Sequence, residues 1–548
     1  MAHALAGKPV QEQDIIDVQT IVDAYFDNVP DMTNPTQLVS FGTSGHRGTS
    51  VDGTFTDLHV AAITQAICDG RKQFGATGPI FVGQDTHALS QPALVTVLEV
   101  LAGNGVTAMV DCDMAFVPTP SVSRAIIRYN EEHDDKADGI IITPSHNPPD
   151  NGGIKYNTII GGPADTVVTK WIEMRANEYL TAYCESEDFK RISIDNIEPT
   201  AQVPYDYKGL YVEELGDVIN MEAIKAAGPK VLVDTLGGSG ASYWNAIKER
   251  YGLDLTIIHD DYDPTFSFMT YDHDGKVRMD CSSTYVMASV INRIGDFDLA
   301  VGNDPDYDRY GIVVSSGLIS ANTFLTLAAR YLFTTRGWKN KGAGKTVVCT
   351  TMIDKWAADA ETSVFEVPVG FKYFSQLLFD GAIGIGGEES AGASFLKKDG
   401  TVWTTDKDGM IMALLSMEIM AVMGKSALKM ADESLEEFGN PSFGRIDAPC
   451  KKEQKQILKQ MSAELITATT VDGDPITNIR TTSLYNDMPI DGVRVETDKG
   501  WFVARPSGTE DLYKIYGESY KGDLGLVALL TAGEEIVNAA LNGTIETE

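Results

Sequence analysis

Basic residues are scarce in this chain: lysine and arginine number 44 against 78 aspartates and glutamates in 548 residues, a formal net charge of −34. So acidic a surface repels nucleic-acid phosphates and anionic lipid headgroups, which excludes both as general partners. Any anionic ligand must be met by a local cluster of cations. Cysteine is sparse as well, and Cys68, Cys112, Cys184, Cys281, Cys349 and Cys450 show no C-x-x-C pairing. Neither a zinc site nor a disulfide framework is expected, and the thiols read as reduced core residues. The N-terminal stretch from Met1 to Val22 carries Glu12, Asp14 and Asp17 and lacks a basic segment followed by an apolar core, so it does not read as a secretory leader. The longest greasy stretch, Met410 to Met423, holds 14 residues and includes Glu418, which is too short and too polar to span a bilayer. Its methionines read as packing in a buried helix. These absences point to the cytoplasm.

Two nucleotide motifs are missing too. Gly344-Lys345-Thr346 resembles the end of a Walker loop, but Lys339 stands where its first glycine belongs and a strand is expected to follow, from Thr346 to Thr350. Gly384-Ile385-Gly386-Gly387 lacks the G-x-G-x-x-G spacing, so no nicotinamide cofactor is expected.

What is present suggests three or four domains, since 548 residues exceed one core. Three segments repeat a pattern of short apolar strand, polar loop, amphipathic helix and second strand. The first has strands at Ile80 to Gly83 and Val106 to Val110 around a helix at Gln91 to Ala102. The second has Val231 to Asp234 and Leu255 to Ile258 around Ser242 to Tyr251. The third has Thr346 to Thr350 and Val364 to Val367 around Asp354 to Ala360. Such alternation argues for mainly parallel sheets. The C-terminal part reads as α+β: a charged helix from Lys451 to Leu465, a hairpin from Gly492 to Ala504 turning at Asp498-Lys499-Gly500, and a last helix. Boundaries fall softest at Glu185 to Pro204 and Phe438 to Pro449, and with a further division at 322 the domains are expected at 1–204, 205–322, 323–439 and 440–548.

Chemistry gathers in a few loops. Thr143-Pro144-Ser145-His146-Asn147-Pro148-Pro149 follows an apolar strand, and its prolines restrict the turn so that the Ser145 hydroxyl is expected to project outward. Asp304-Pro305-Asp306-Tyr307-Asp308-Arg309 follows another strand. On an extended chain its three carboxylates would share one side, giving hard oxygen ligands for a cation such as Mg²⁺. A calcium loop is excluded, because Arg309 and Ser315 stand where such a loop needs glycine and glutamate. Arg505-Pro506-Ser507-Gly508-Thr509 combines a guanidinium, two hydroxyls and a glycine, the ingredients of a phosphate cradle. Phe41-Gly42-Thr43-Ser44-Gly45-His46-Arg47-Gly48 has the same ingredients.

These loops, with Gly387-Glu388-Glu389-Ser390, resemble in family order the four signature loops of the α-D-phosphohexomutase superfamily, and the resemblance covers nearly the whole chain. It implies three similar mixed-sheet α/β domains plus a smaller C-terminal α+β domain around a central cleft. It implies the reversible interconversion of α-D-glucose 1-phosphate and glucose 6-phosphate, with Ser145 as a phosphoserine, glucose 1,6-bisphosphate as intermediate and activator, and one Mg²⁺ per chain held by Asp304, Asp306, Asp308 and Ser145. Arg47 and His146 are implied at the phosphoserine. Arg309, Lys372, Glu388, Ser390, Arg505, Ser507, Gly508 and Thr509 are implied at the sugar phosphate. A lysine of lowered pKa is chemically suited to move the proton of the attacking hydroxyl. Lys155, Lys407 and Lys372 are candidates, and Lys407 matches the family's position. Glu389 in the GEES loop favours glucose, and a mannose or dual-specificity mutase is the alternative. A sugar-phosphate phosphatase and a silent sugar-phosphate-binding protein are alternatives of another kind. Partners are small-molecule sugar phosphates, and the chain is expected as a monomer or homodimer.

Overall fold

The computed structural model describes residues 2–42, 45–184, 189–506 and 512–545. They form two compact units: Met1–Ala321 with Phe374–Gly381 and Ser390–Leu428, and Asn322–Tyr373 with Ala382–Glu389 and Lys429–Glu548.

The first unit holds two sheets. One contains β1 (His46–Thr49), β2 (Ile80–Gln84), β3 (Ala108–Asp111), β4 (Asp138–Ile142), β5 (Asn151–Asn157) and β6 (Gln202–Tyr205), in the order β1-β5-β4-β2-β3-β6. The pairs β4–β2, β2–β3 and β3–β6 are parallel and the pairs β1–β5 and β5–β4 antiparallel, so the sheet is mixed with its parallel pairs in the majority. Its central strands are apolar on both faces, with Ile80, Val82, Ile140 and Ile142 buried in one core and Phe81 and Ile141 in another on the opposite face. The second sheet contains β7 (Val231–Asp234), β8 (Leu255–Ile258), β9 (Leu299–Gly302), β10 (Gly311–Val314) and β11 (Gly317–Leu318), in the order β11-β10-β9-β7-β8. Here β9, β7 and β8 are parallel and the remaining pairs antiparallel.

The helix Gly409–Met423 also belongs to this unit and is apolar almost all round, being buried from Gly409 to Ile419, while Val422 and Met423 in its last turn are exposed. Asp408 caps it by accepting from Ile411 N at 3.1 Å, and Gly424 ends it at φ +62°. That cap fixes the approach of Lys407, the residue before it.

In the second unit, β12 (Gly342–Thr346), β13 (Val364–Val367) and β14 (Ile383–Gly387) pair in parallel, with β12 in the middle. The strand expected at Thr346 to Thr350 therefore lies four residues earlier, and the GKT run is part of it. The short strand β15 (Ala393–Phe395) belongs to the first unit. The C-terminal sheet is antiparallel throughout, in the order β16-β21-β20-β19-β18-β17: β16 (Ser442–Pro449), β17 (Thr470–Val471), β18 (Asp474–Thr482), β19 (Pro489–Thr497), β20 (Gly500–Pro506) and β21 (Leu512–Ser519). The stretch Phe438 to Pro449, read as a soft boundary, ends in strand β16. The helix expected from Lys451 to Leu465 covers only Lys452–Lys459, and a separate turn of 3-10 helix follows at Ala463–Leu465, capped by Ser462.

The last helix, Gly522–Ile545, includes a segment that by length and composition alone could cross a membrane, longer than the Met410 to Met423 stretch. It instead lays Leu529, Leu530, Val537 and Leu541 into the core of the C-terminal sheet. Among the described residues, Cys68, Cys112, Cys281, Cys349 and Cys450 are free thiols.

Candidate active site

Ser145 sits two residues beyond Thr143, where β4 gives way to a turn, and its backbone is left-handed at φ +62°. That conformation costs an L-residue of order 1–3 kcal/mol and persists only where neighbours enforce it. Part of the enforcement is local: Ser145 N donates to Thr143 Oγ1 at 2.7 Å. The side chain does not project into solvent, as its turn suggested. Ser145 is 1% exposed, because the 304–308 loop lies over it and Asp304 Oδ2 accepts from its hydroxyl at 2.9 Å. His146 Nδ1 is 3.3 Å from the same oxygen.

The acids converge by a different route from the one expected. Beyond β9 the chain turns instead of staying extended: Tyr307 N donates to Asp304 O at 2.9 Å, with Tyr307 at φ +62°. The turn, rather than strand alternation, brings carboxylate oxygens of Asp304, Asp306 and Asp308 within 4.8 Å of one another, all three residues buried.

Several elements clamp this loop. Ser239 N and Oγ both donate to Pro305 O at 2.8 Å. Thr119 N donates to Asp306 O and Thr119 Oγ1 to Asp306 Oδ2, both at 2.9 Å, and Arg309 N donates to Asp304 Oδ1 at 2.9 Å. The glycines of Gly237-Gly238-Ser239-Gly240 permit the close approach: a Cβ on Gly238 would meet Pro305 Cα at 2.8 Å. None of Thr119, Ser239 and Gly240 was singled out from the sequence, although the glycine cluster after β7 was a visible signal.

Two lysines balance the acids. Lys155 Nζ lies 2.5 Å from Asp306 Oδ2 and 3.2 Å from Asp308 Oδ2, and Lys407 Nζ lies 2.9 Å from Asp308 Oδ2. Burial works against a charge on Lys155, but Asp306 and Asp308 outweigh it and hold the ammonium above its ordinary pKa. This reverses the expectation of a lowered pKa for Lys155. Burial likewise opposes ionisation of Asp308, yet Lys407, Lys155 and Arg309 carry its pKa well below the carboxylate range. Asp304 is helped by Arg309, which does not prevail. Burial, then Asp306 and Asp308, push its pKa well above the ordinary value.

The donor set fits a hard divalent cation. It is all oxygen, and Asp306 Oδ1 and Asp308 Oδ1 are buried without accepting any hydrogen bond, the state of a ligand atom aimed at something other than a protein donor.

Cations also surround the serine. Arg47 NH1 donates to Asn147 Oδ1 at 3.3 Å, and Arg309 NH1 lies 3.3 Å from Asp280 Oδ2, which is 3.9 Å from His146 Nε2. Burial, followed by the charge of Arg309, holds the His146 pKa well below normal, so this ring is neutral. The first unit thus brings together Ser145, His146, Arg47, Lys155, Lys407, Asp304, Asp306, Asp308 and Arg309.

The other predicted residues are distributed differently. Lys372 opens the helix Lys372–Phe379, with its ammonium 5.5 Å from the centre of the Tyr373 ring. Glu388 follows β14 and is buried. Its neighbour Glu389 accepts from Thr346 Oγ1 at 3.2 Å. Arg505, near the end of β20, donates from Nε to Ile490 O at 2.9 Å. Lys372, Glu388 and Arg505 belong to the second unit, and Ser390 groups with the first. Ser507, Gly508 and Thr509 lie outside the described residues, as do Thr43 and Ser44.

Comparison with known proteins follows the same order along the chain. The phosphoglucomutase/phosphomannomutase alpha/beta/alpha domains I, II and III match residues 38–182, 210–317 and 320–438, and the family's C-terminal domain matches 447–524. A phosphoglucomutase of Komagataeibacter xylinus is 46% identical over 539 residues, covering 97% of each chain. Phosphoglucomutase 1 of Saccharomyces cerevisiae is 27% identical over 528 residues, covering 88% of each. Among solved structures, the exocytosis-sensitive phosphoprotein parafusin, a phosphoglucomutase from Paramecium in its open form, superposes with a TM-score of 0.72 at 20% identity, over 94% of this chain and 96% of that one.

Proposed function

The chain belongs to the phosphoglucomutase/phosphomannomutase family, and we propose that it interconverts α-D-glucose 1-phosphate and glucose 6-phosphate through a phosphoserine at Ser145 and a glucose 1,6-bisphosphate intermediate. The observation that carries this reading is the setting of Ser145: a left-handed serine whose hydroxyl faces an acid triad, with two arginines nearby. Arg47 and Arg309 make the surroundings of Ser145 and His146 cationic, which suits a phosphoryl group on the serine.

Asp304, Asp306 and Asp308, with Ser145, would hold Mg²⁺. When bound, the ion supplies Lewis-acid polarisation of a phosphoryl oxygen and neutralises developing charge. The residues of the chain do the rest. Arg47 and Arg309 orient and charge-balance the phosphoryl group on Ser145. In the first transfer a sugar hydroxyl attacks the phosphorus on Ser145, the bond to Ser145 Oγ breaks, and the proton of the attacking hydroxyl passes to a lysine. Lys407, at the position the family resemblance implies for the proton carrier, is assigned that proton, since Asp306 and Asp308 hold Lys155 cationic. In the second half of the cycle Ser145 Oγ attacks the other phosphoryl group, the bond to its sugar oxygen breaks, and that oxygen takes the proton back from the lysine, which restores the enzyme.

Binding of the sugar phosphate falls to Arg505 with Ser507, Gly508 and Thr509, a guanidinium and hydroxyls for a phosphate. Lys372 adds a further cation, and Glu388 and Ser390 bond sugar hydroxyls. The same reading divides the chain at 204, 322 and 439 and places the enzyme in the cytoplasm with sugar phosphates as its partners. Phosphorus NMR of glucose 1-phosphate with Mg²⁺, with and without a trace of glucose 1,6-bisphosphate, tests it. Glucose 6-phosphate must accumulate without free phosphate. Release of inorganic phosphate overturns the mutase in favour of a phosphatase.

A further inference from the structure

The loop that follows β2 was not singled out from the sequence, yet it grips the serine loop on both sides. Asp85 and His87 are buried, at 0% and 1% exposure. Asp85 Oδ2 accepts from Thr143 Oγ1 at 2.6 Å and faces His87 Nδ1 at 2.8 Å, while Asp85 Oδ1 accepts from Ser90 Oγ at 2.5 Å and His87 N at 3.0 Å. Thr143 Oγ1 is the atom that accepts from Ser145 N. On the far side of the serine, His87 Nε2 lies 3.0 Å from the carbonyl oxygen of Asn147.

The protonation state of His87 follows from its partners. One ring nitrogen faces a carboxylate already receiving three other hydrogen bonds, and the other faces a peptide carbonyl, which can only accept. A neutral imidazole has one N–H, so either tautomer would set a buried lone pair against an acceptor oxygen. Only the doubly protonated ring satisfies both contacts. Its cost of burial is met by the adjacent Asp85 carboxylate. The remaining neighbours agree: the Phe266 ring lies 5.1 Å away, and the charge of Asp306 adds to that of Asp85 in favouring the cation.

We infer that Asp85 and His87 are positioning residues: a buried carboxylate–imidazolium pair that holds Thr143 and Asn147, and so fixes Ser145 between them in its left-handed conformation. Neither residue needs to touch substrate. The pair would act on the placement of the serine oxygen, where an error of about 1 Å can cost on the order of 100-fold in rate. This inference rests on the proposed role of Ser145, but its first test does not require activity.

With the histidines ¹⁵N-labelled, long-range proton–nitrogen spectra of the native enzyme at pH 7–8 must contain a ring with both nitrogens protonated, and that signal must be lost in His87→Gln. In kinetics, His87→Gln lowers kcat on the order of 100-fold by misplacing the serine, with KM for glucose 1-phosphate unchanged within about twofold. His87→Arg, which keeps a cation able to donate both ways, restores most of kcat. A single protonated nitrogen on His87 overturns the imidazolium. A His87→Gln variant with native kcat, or one whose loss falls on KM alone, overturns the positioning role. If His87→Gln fails to fold, the spectrum of the native protein, assigned through His87→Arg, still decides the charge state, and the activity of His87→Arg decides the role. Should the enzyme prove inactive on glucose 1-phosphate, the ring spectrum stands as an independent result.

Discussion

Gly240 lies directly against the ring of Tyr307, and a Cβ on Gly240 would come within 2.3 Å of that ring. Tyr307 is the left-handed residue between Asp306 and Asp308, so the glycine loop after β7 is part of what aims the acids. Gly240 itself has φ −94°, which any residue can adopt, so only the lack of space forbids a side chain. Gly240→Ala should cost about 1–3 kcal/mol by overpacking and displace the acid loop. Thermal melts and a Mg²⁺ titration of activity check this. The expected result is a lower Tm together with a raised Mg²⁺ requirement, and a variant that loses only stability would break the proposed link between this glycine and the metal site.

Metal binding should itself stabilise the protein. Three buried carboxylates crowd one another, two of them with an oxygen that accepts no hydrogen bond, and a bound cation adds to the counter-charge of Lys155 and Lys407. At a hundredfold excess over Kd, one bound ion adds about 2.7 kcal/mol. Melts in Mg²⁺ and in EDTA should therefore differ by several degrees, and Asp306→Asn should remove most of the difference while the EDTA melt stays close to that of the native chain.

The serine, the acids and their flanking arginines were legible because each lies within one short segment, and adjacency in sequence carried the chemistry. Thr119, Asp85, His87 and Gly240 were not, since their value comes from which loop they meet in the fold. The misplaced strand has a physical cause. Val347 and Val348 read as strand from their β-branched side chains, but they serve the core shared with Ile490, Trp501 and Val503, leaving the glycine-rich Gly342–Thr346 to pair in the sheet. Ser145 was read as displayed because its own turn points no other way. The covering loop comes from residues 304–308, and nothing near Ser145 in the sequence announces it.

The two lysines should separate kinetically. Lys407→Met removes the proposed proton carrier and should lower kcat by roughly 10²–10⁴-fold with little change in Mg²⁺ requirement. Lys155→Met removes the counter-charge of two buried acids, and breaking such pairs costs about 3–5 kcal/mol, so its main loss should be in stability. Steady-state kinetics and melts of both variants check this. The reverse pattern would transfer the proton role to Lys155.

In the C-terminal sheet, Glu496 accepts from Arg494 at 2.6 Å and Arg480 at 3.2 Å. Burial opposes its charge, but Arg494 and Arg480 outweigh this and lower its pKa to about 2. The unfolded value is about 4.3, so the folded state binds the proton more weakly. The resulting stabilisation is full above the unfolded pKa and is lost as pH falls through the folded one. The Tm difference between the native chain and Glu496→Gln should be constant from pH 6 to 8 and shrink between about pH 4.3 and 2. A difference that grows on acidification would contradict the pairing.

The central claim is that Ser145 carries the phosphoryl group that is transferred. The direct measurement is peptide mass spectrometry of the enzyme before and after incubation with glucose 1,6-bisphosphate and Mg²⁺. One phosphoryl group should appear on the peptide containing Ser145, with none on that peptide in an inactive Ser145→Ala variant. A phosphoryl group on another residue, or Ser145→Ala retaining native turnover, would contradict the account.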